Sequence, residues 1–114
     1  MRKTRPGLPA RGSSSGRPVM VLLDLLGRRT ALRVIWELSK AAAPLTFRTL
    51  QTAADTNPSV LNARLRELRE ARVVELADGG YILTADGRSL LSTLSPLQEW
   101  AEAWAARFDA PGSR

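Results

Sequence analysis

The side chains best suited to specific chemistry in this chain are hydroxyl, amide and guanidinium groups in one short segment. Ser59, Asn62 and Arg66 recur at spacings of three and four residues, which places them on one face of a helix. Asn57 precedes them and suits the capping position of that helix. Arginine bonds guanine, and asparagine bonds adenine, through pairs of hydrogen bonds. The segment 57–72 therefore predicts a helix that reads base edges in a major groove.

Charge is unevenly distributed along this predicted helix. Residues 57–66 contain two arginines and no acid, whereas Glu67 and Glu70 lie in the half that would leave a groove. An ordinary surface helix with Arg64–Glu67 and Arg66–Glu70 ion pairs is the alternative interpretation. Arg64 lies closer to the apolar stripe, so it either braces the fold or reaches a phosphate.

Candidates for phosphate contacts lie at helix starts, where free backbone N–H groups also attract anions. The alternative interpretation of each candidate taken alone is a helix cap or a charge exposed to solvent. The complete predicted DNA-binding set is Arg28, Arg29, Thr46, Arg48, Asn57, Ser59, Asn62, Ala63, Arg64 and Arg66.

The residue inventory excludes several functional classes. The 114 residues include no cysteine and no histidine, which excludes disulfides, thiol sensing and zinc sites of the Cys/His type. A Ser-His-Asp triad is excluded for the same reason. We therefore predict no enzyme activity, no metal and no cofactor.

The positive charge is concentrated at the start of the chain. Of the net charge of +6, residues 1–18 contribute +5, and the rest holds 12 basic and 11 acidic side chains. The Pro-, Gly- and Ser-rich composition of residues 1–18 predicts a disordered basic arm. Such an arm either tracks phosphates or is a solvated tail. No segment is long enough to span a membrane, so we expect a cytoplasmic, nucleoid-associated protein.

The order of predicted elements is three short helices, the helix from Asn57, a hairpin and a long final helix. The predicted breaks between helices are Gly27, Ala43-Pro44 and Asp55-Thr56. A very short strand is predicted at Leu45. Thr30 and Thr46 are predicted caps, and Asp78-Gly79 is a hairpin-turn signal. The predicted ranges are Val19–Leu26, Thr30 to about Lys40, Phe47–Ala54, 57–72, Val73–Leu76 with Tyr81–Thr84, and Gly87 to about Phe108. The fold prediction is mainly α (α+β): a winged helix-turn-helix over residues 19–108, with a flexible tail at 109–114.

Apolar spacing predicts which residues these elements bury. In the fourth helix the stripe is Leu61, Leu65 and Leu68, and the second helix offers Leu32, Ile35, Trp36 and Leu38. Pairing Leu76 with Tyr81 and Val74 with Leu83 would turn all four toward the helices. Pro96 is predicted either to begin a new helix or to kink one.

Apolar residues at both ends of the domain exceed what a small core can hold. Core packing is one explanation, and an isologous dimer interface is the other and preferred one. The predicted interface residues are Val19, Leu22, Leu23, Leu26, Leu97, Trp100 and Trp104.

Three strings of the chain resemble one family. They are LLGRRTALRVIWEL, LTFRTLQTAADTNPSVLNARLRELREARVVE, and YILTADGRSLL followed by LQEWAEAW. Residues 19–108 resemble the HxlR-type winged-helix transcriptional regulators of bacteria. The resemblance implies a homodimer, a recognition helix in each major groove, and dimer contacts from the first and last helices.

The chain departs from the family pattern at three places. Its hairpin connection is short and holds no Lys or Arg between Arg72 and Arg88. The N-terminal cysteine often found in the family is absent, so thiol sensing does not carry over. Arg28-Arg29 stands where the family commonly has Lys-Trp.

Together these features predict a homodimeric regulator that binds double-stranded DNA, with half-sites in an inverted repeat. One alternative is an RNA-binding winged helix led by the basic arm. The other is a protein-interaction winged helix that binds no nucleic acid. The sequence does not indicate whether a small-molecule effector exists.

Overall fold

The computed structural model describes residues 17–109. Over this range the order of elements confirms the winged helix-turn-helix prediction: helices first, then a two-stranded antiparallel hairpin, then a long helix. The elements are α1 (Pro18–Leu26), α2 (Ala31–Lys40), α3 (Phe47–Ala54), α4 (Pro58–Glu70), β1 (Val74–Ala77), β2 (Gly80–Leu83) and α5 (Ala85–Asp109). Of the predicted arm, residues 1–16 lie outside the described residues, and Pro18 already belongs to α1. Of the predicted tail, residues 110–114 lie outside them, and Asp109 ends α5.

Side-chain caps fix the starts of three helices. The Thr46 hydroxyl accepts a hydrogen bond from the Thr49 N–H at 3.2 Å, which begins α3. The side-chain oxygen Oδ1 of Asn57 accepts from the Val60 N–H at 2.9 Å, which begins α4. The Thr84 hydroxyl accepts from the Gly87 N–H at 3.0 Å and begins α5. Each bond satisfies a backbone donor that has no partner within its helix.

The predicted cap at Thr30 is wrong. Thr30 precedes α2, but its backbone is left-handed, with φ 78°, and its side chain makes no capping bond. The turn from Gly27 to Thr30 therefore determines the start of α2 through the backbone. A β-branched residue rarely adopts this conformation, so a side-chain rule did not find it.

The core lies where α2, α3 and α4 meet the hairpin. Leu61, Leu65 and Leu68 of α4 are all buried, as predicted. In α2 the prediction was right for Ile35 and Leu38, which are buried together with Ala31 and Val34. It was wrong for Leu32 and Trp36, which are 47% and 41% exposed. Helical spacing allows two adjacent stripes on α2, and the one with the smaller side chains faces the core.

The hairpin has the predicted register. Val74 pairs with Leu83, and Leu76 pairs with Tyr81. Val74 and Leu83 are buried, and Leu76 lies on the predicted side, where it lines the groove between the hairpin and α4 but stays 52% exposed. Leu45 adds the predicted short strand, exchanging backbone hydrogen bonds of 3.1 and 2.8 Å with Tyr81.

Two glycines allow the backbone to approach itself closely around the hairpin. Gly80 has φ 145°, and a Cβ there would lie 2.3 Å from the Leu45 carbonyl oxygen. A Cβ on Gly87 would lie 2.2 Å from the carbonyl oxygen of Val73. The Thr84 hydroxyl closes the same corner by donating to the Arg72 carbonyl at 2.6 Å. The end of α4, the hairpin and the start of α5 are therefore fixed relative to one another.

Helix α5 is continuous over 25 residues and contains Pro96 in its interior. The predicted start of a new helix at Pro96 is therefore wrong. Every residue from 95 to 109 is exposed, whereas Leu90, Leu91 and Leu94 pack against the core. Within residues 17–109, no helix combines the length and the apolar character needed to cross a membrane.

Candidate nucleic-acid interface

The predicted reading face of α4 is exposed. Ser59, Asn62 and Arg66 all point away from the core, and Ala63 between them is half-buried. Arg66 forms no ion pair within the described part of the chain, so the alternative Arg66–Glu70 pair does not form. Asn57 lies at the start of the helix and caps it with the side-chain oxygen Oδ1. The outer face of α4 thus offers hydrogen-bonding groups and an uncompensated guanidinium.

Arg69 extends this face and was missed by the sequence analysis. A groove of about 570 Å³ between α4 and the hairpin is lined by Asn62, Arg66, Arg69 and Tyr81, among others. Arg69 is exposed and forms no ion pair among residues 17–109. Its position three residues after Arg66 and seven after Asn62 was the signal that could have identified it.

Arg29 lies beside the start of α4. It shares a concave surface of about 380 Å³ with Asn57, Pro58 and Val60, and with residues at the end of α3. It is exposed, and its side chain has no ion-pair partner within the described range. A cation next to the positive end of a helix is an arrangement that suits a phosphate.

The structure does not bring Thr46 and Arg48 to this concave surface. Both lie at the start of α3, next to the strand residue Leu45, and both are exposed. The concave surface is instead lined by Gln51 and Asp55 from the other end of α3. The eight-residue helix α3 is about 12 Å long at 1.5 Å per residue. The two ends of α3 would therefore contact separate places on a bound nucleic acid.

Arg28 and Arg64 differ from the other predicted cations because acids compensate them. Arg64 Nε lies 3.0 Å from Glu67 Oε1, and Arg28 Nε lies 3.5 Å from the same oxygen. Arg28 also donates to Asp24 at 3.4 Å. The side chains of Arg28 and Arg64 are only 17% and 15% exposed. Of the two roles open to Arg64, bracing the fold is the one seen here.

Arg33 forms an ion pair within α2 and also links α2 to α3. Arg33 donates to Glu37 at 2.8 Å and to the carbonyl of Ala53 at 3.0 Å, which links α2 to α3. The hydrogen bond from Arg33 lowers the pKa of Glu37 below its ordinary value, against the opposing effect of burial. Nearby Lys40 lowers it further.

The hairpin offers no cation to a polyanion. It carries exposed Glu75 and Asp78, and no Lys or Arg occurs from Val73 to Gly87. Like charge repels, so the hairpin tip is unsuited to a phosphate backbone. The hairpin therefore shapes one wall of the groove beside α4 without adding positive charge.

Most predicted interface residues are exposed on this single chain. They are Val19, Leu23, Leu97, Trp100 and Trp104, with Leu22 partly buried against the core. Leu26 differs, because it belongs to the core of its own subunit and is only 8% exposed. On α5 the rings of Trp100 and Trp104 stack at 5.9 Å, and Phe108 meets Trp104 edge-on at 5.3 Å. We call Leu97, Trp100, Trp104 and Phe108 the α5 stripe.

A short helix-turn-helix, an exposed polar face on its second helix and an adjoining hairpin define a winged helix-turn-helix protein. Many proteins of this class regulate transcription by binding DNA. Residues 25–109 match the model of the HxlR-like helix-turn-helix family, and the chain belongs to that family. This is a family of regulators, not of enzymes. No curated protein matches the chain significantly.

Proposed function

We propose that this protein is a homodimeric transcriptional regulator that binds double-stranded DNA sequence-specifically, with α4 in the major groove. The observation that carries the proposal is the exposed face of Ser59, Asn62 and Arg66, on which Arg66 has no ion-pair partner among residues 17–109. Exposed amide and guanidinium groups on a capped helix suit base edges. As a nucleoid-associated protein it would act in the cytoplasm.

Different residues serve reading and positioning in this proposal. Ser59, Asn62 and Arg66 contact base edges, and the small side chain of Ala63 allows α4 to approach them. Arg29 and Arg69 contact phosphates on either side of the groove, and Thr46 and Arg48 contact a separate phosphate. Phosphate contacts set the register of the protein on the duplex and carry no sequence information themselves.

The α5 stripe supports the homodimer. Large aromatic side chains that are exposed together on one helix indicate a surface normally covered by another chain. A two-fold axis through these helices would set two copies of α4 toward an inverted repeat. The half-sites would then lie one helical turn, or a multiple of it, apart.

The first experiment is selection of bound fragments from genomic DNA by the full chain, followed by sequencing. We expect an inverted repeat, and quantitative binding to that site then tests Arg66. Arg66→Ala should weaken binding by about 1–3 kcal/mol and relax the preference at one base position. Arg88→Ala is the matched control, since Arg88 is an exposed arginine outside α4.

Three results would contradict this proposal. An unchanged affinity and preference in Arg66→Ala would remove Arg66 from the reading face. Stronger binding to structured RNA than to duplex DNA, at physiological salt, would favour the RNA-binding alternative. A chain without any salt-dependent affinity for duplex DNA would favour the protein-interaction alternative.

A further inference from the structure

Four charged side chains join α1, the turn after it and α4. We call Asp24, Arg28, Arg64 and Glu67 the Glu67 network. Glu67 stands at its centre, with Oε1 3.0 Å from Arg64 Nε and 3.5 Å from Arg28 Nε. Its other oxygen, Oε2, accepts from Arg64 Nη2 at 3.3 Å. Asp24 accepts from the far side of Arg28 at 3.4 Å.

The network holds two guanidinium groups in fixed positions near the proposed DNA surface. Arg64 Nη1 also donates to the carbonyl of Arg29 at 3.3 Å, and Arg29 itself lines the concave surface at the start of α4. The Nε atoms of Arg28 and Arg64 are buried and face Glu67 Oε1 without a well-directed hydrogen bond. The attraction of Arg28 to Glu67 is therefore ionic, whereas Arg64 adds its hydrogen bond from Nη2 to Oε2. Both contacts weaken when that carboxylate loses its charge.

Charge compensation distinguishes these two arginines from their neighbours. The network contains two cations and two acids, so its net charge is zero, whereas Arg29 and Arg66 have no ion-pair partner within residues 17–109. Non-specific affinity for DNA grows with the number of phosphates that a protein neutralises. The two compensated arginines would strengthen binding to every sequence if they were released.

We infer that Glu67 is a positioning residue that withholds Arg28 and Arg64 from the DNA backbone and thereby raises the ratio of specific to non-specific affinity. The inference rests on the proposed function. It assigns a role in specificity to an acid that contacts no base. The biologically relevant quantity for a regulator is this ratio, because non-specific sites greatly outnumber specific ones.

The test is the salt dependence of Glu67→Gln binding to the selected site and to a random duplex. Glutamine keeps the size of the side chain but removes its charge. The slope of log affinity against log salt should steepen by about 0.9 for each arginine that reaches a phosphate. Affinity for the random duplex should rise more than affinity for the selected site, so their ratio should fall.

The matched control is Glu70→Gln. Glu70 lies three residues further along α4 and has the same charge, but it forms no ion pair in the described range. It should leave the slope close to that of the wild type. Arg64→Ala made in the wild type should also leave the slope unchanged, because Arg64 is withheld there. Made in Glu67→Gln, the same change should flatten the slope by about 0.9, because it removes a released arginine.

Two outcomes would overturn the inference alone. One is a wild-type slope in a folded Glu67→Gln variant, and the other is a flattening of about 0.9 when Arg64→Ala is made in the wild type. If Glu67→Gln does not fold, Arg28→Ala in the wild type keeps Glu67 and should leave the slope unchanged, and a flattening of about 0.9 there overturns the inference. A wild-type chain without duplex affinity at low salt would instead overturn the proposed function, and this inference with it.

Discussion

Arg64 and Arg66 lie two positions apart on α4 but have opposite surroundings. Arg64 is partly buried and paired with Glu67, whereas Arg66 is exposed and unpaired among residues 17–109. A rotation of about 200° around the helix separates them, since each residue turns it by about 100°. Of these two arginines, the one paired with Glu67 braces the fold, and the exposed one is offered to DNA in the proposed function.

Gly87 provides a test of packing at a single residue. A Cβ at this position would lie 2.2 Å from the backbone carbonyl oxygen of Val73, which no rotation of a side chain could relieve. We expect Gly87→Ala to lower the free energy of unfolding by about 1–3 kcal/mol or more, although alanine favours helices. Urea denaturation followed by circular dichroism measures the change.

Ser89→Ala is the control for Gly87, because Ser89 is exposed two residues further along the same helix. It should change stability by less than about 0.5 kcal/mol. Equal or greater stability of Gly87→Ala would show that the start of α5 can move away from β1.

The residues that sequence reasoning placed correctly are those governed by local rules. Thr46 and Asn57 are caps because a short side chain with an acceptor precedes each helix, and the Leu61–Leu65–Leu68 stripe follows from helical spacing. Trp36 was misplaced because hydrophobicity and size do not tell which of two neighbouring stripes meets the core. The pairing of Arg28 with Glu67 was also missed, since only the folded chain brings residues 39 positions apart into contact.

At the scale of elements, α5 has two halves with different surroundings. The half before Pro96 packs Leu90, Leu91 and Leu94 against the core, and the half after it is exposed throughout. Pro96 lacks the N–H that would continue the helical hydrogen-bond ladder, which weakens the junction between the halves. Only the first residues of the second half, Leu97 and Gln98, line a pocket with α2 within the described part of the chain.

The proposed dimer makes a prediction for the α5 stripe. Trp104→Glu should shift the chain from dimer to monomer in sedimentation equilibrium at micromolar concentration, because it places a charge among apolar side chains. Ala106→Glu is the control, since residue 106 lies on the opposite side of α5 and is also exposed. A purely monomeric wild type at that concentration would contradict the dimer.

The elements themselves were largely predictable, and the continuity of α5 was less so. The register of Val74 with Leu83 followed from alternation and the Asp78-Gly79 signal, and the structure has that register. The range of α5 was predicted to within two residues at each end, but its continuity through Pro96 did not follow, because a proline inside an apolar pattern is normally a boundary. The site was predictable as a face of α4, but not as a groove that includes Arg69 and Tyr81.

At the scale of the whole molecule, the net charge is concentrated at the start of the chain. Residues 1–18 carry +5 of the net +6, while the domain that follows is nearly neutral. In a near-neutral domain, a few arginines without an ion-pair partner among residues 17–109 favour binding to specific DNA sequences over binding to DNA of any sequence. The early residues are then the main source of long-range attraction to DNA.

Replacing the four cations within residues 1–16 by serine tests this division. The slope of log affinity against log salt should flatten by about 0.9 for each of Arg2, Lys3, Arg5 and Arg11 that contacts a phosphate. The order of preference among duplex sequences should stay the same, because α4 is unchanged. An unchanged slope would show that these residues form a solvated tail and do not act as an arm.

The exposed half of α5 also contributes most of the tryptophans responsible for the intrinsic fluorescence of this protein. Two of its three tryptophans, Trp100 and Trp104, lie stacked on that half, and the third, Trp36, is partly exposed on α2. Tryptophan emission shifts to shorter wavelength when water is removed from the indole. Association through the α5 stripe would therefore change the intrinsic fluorescence, so that the native chain reports its own assembly without an attached dye.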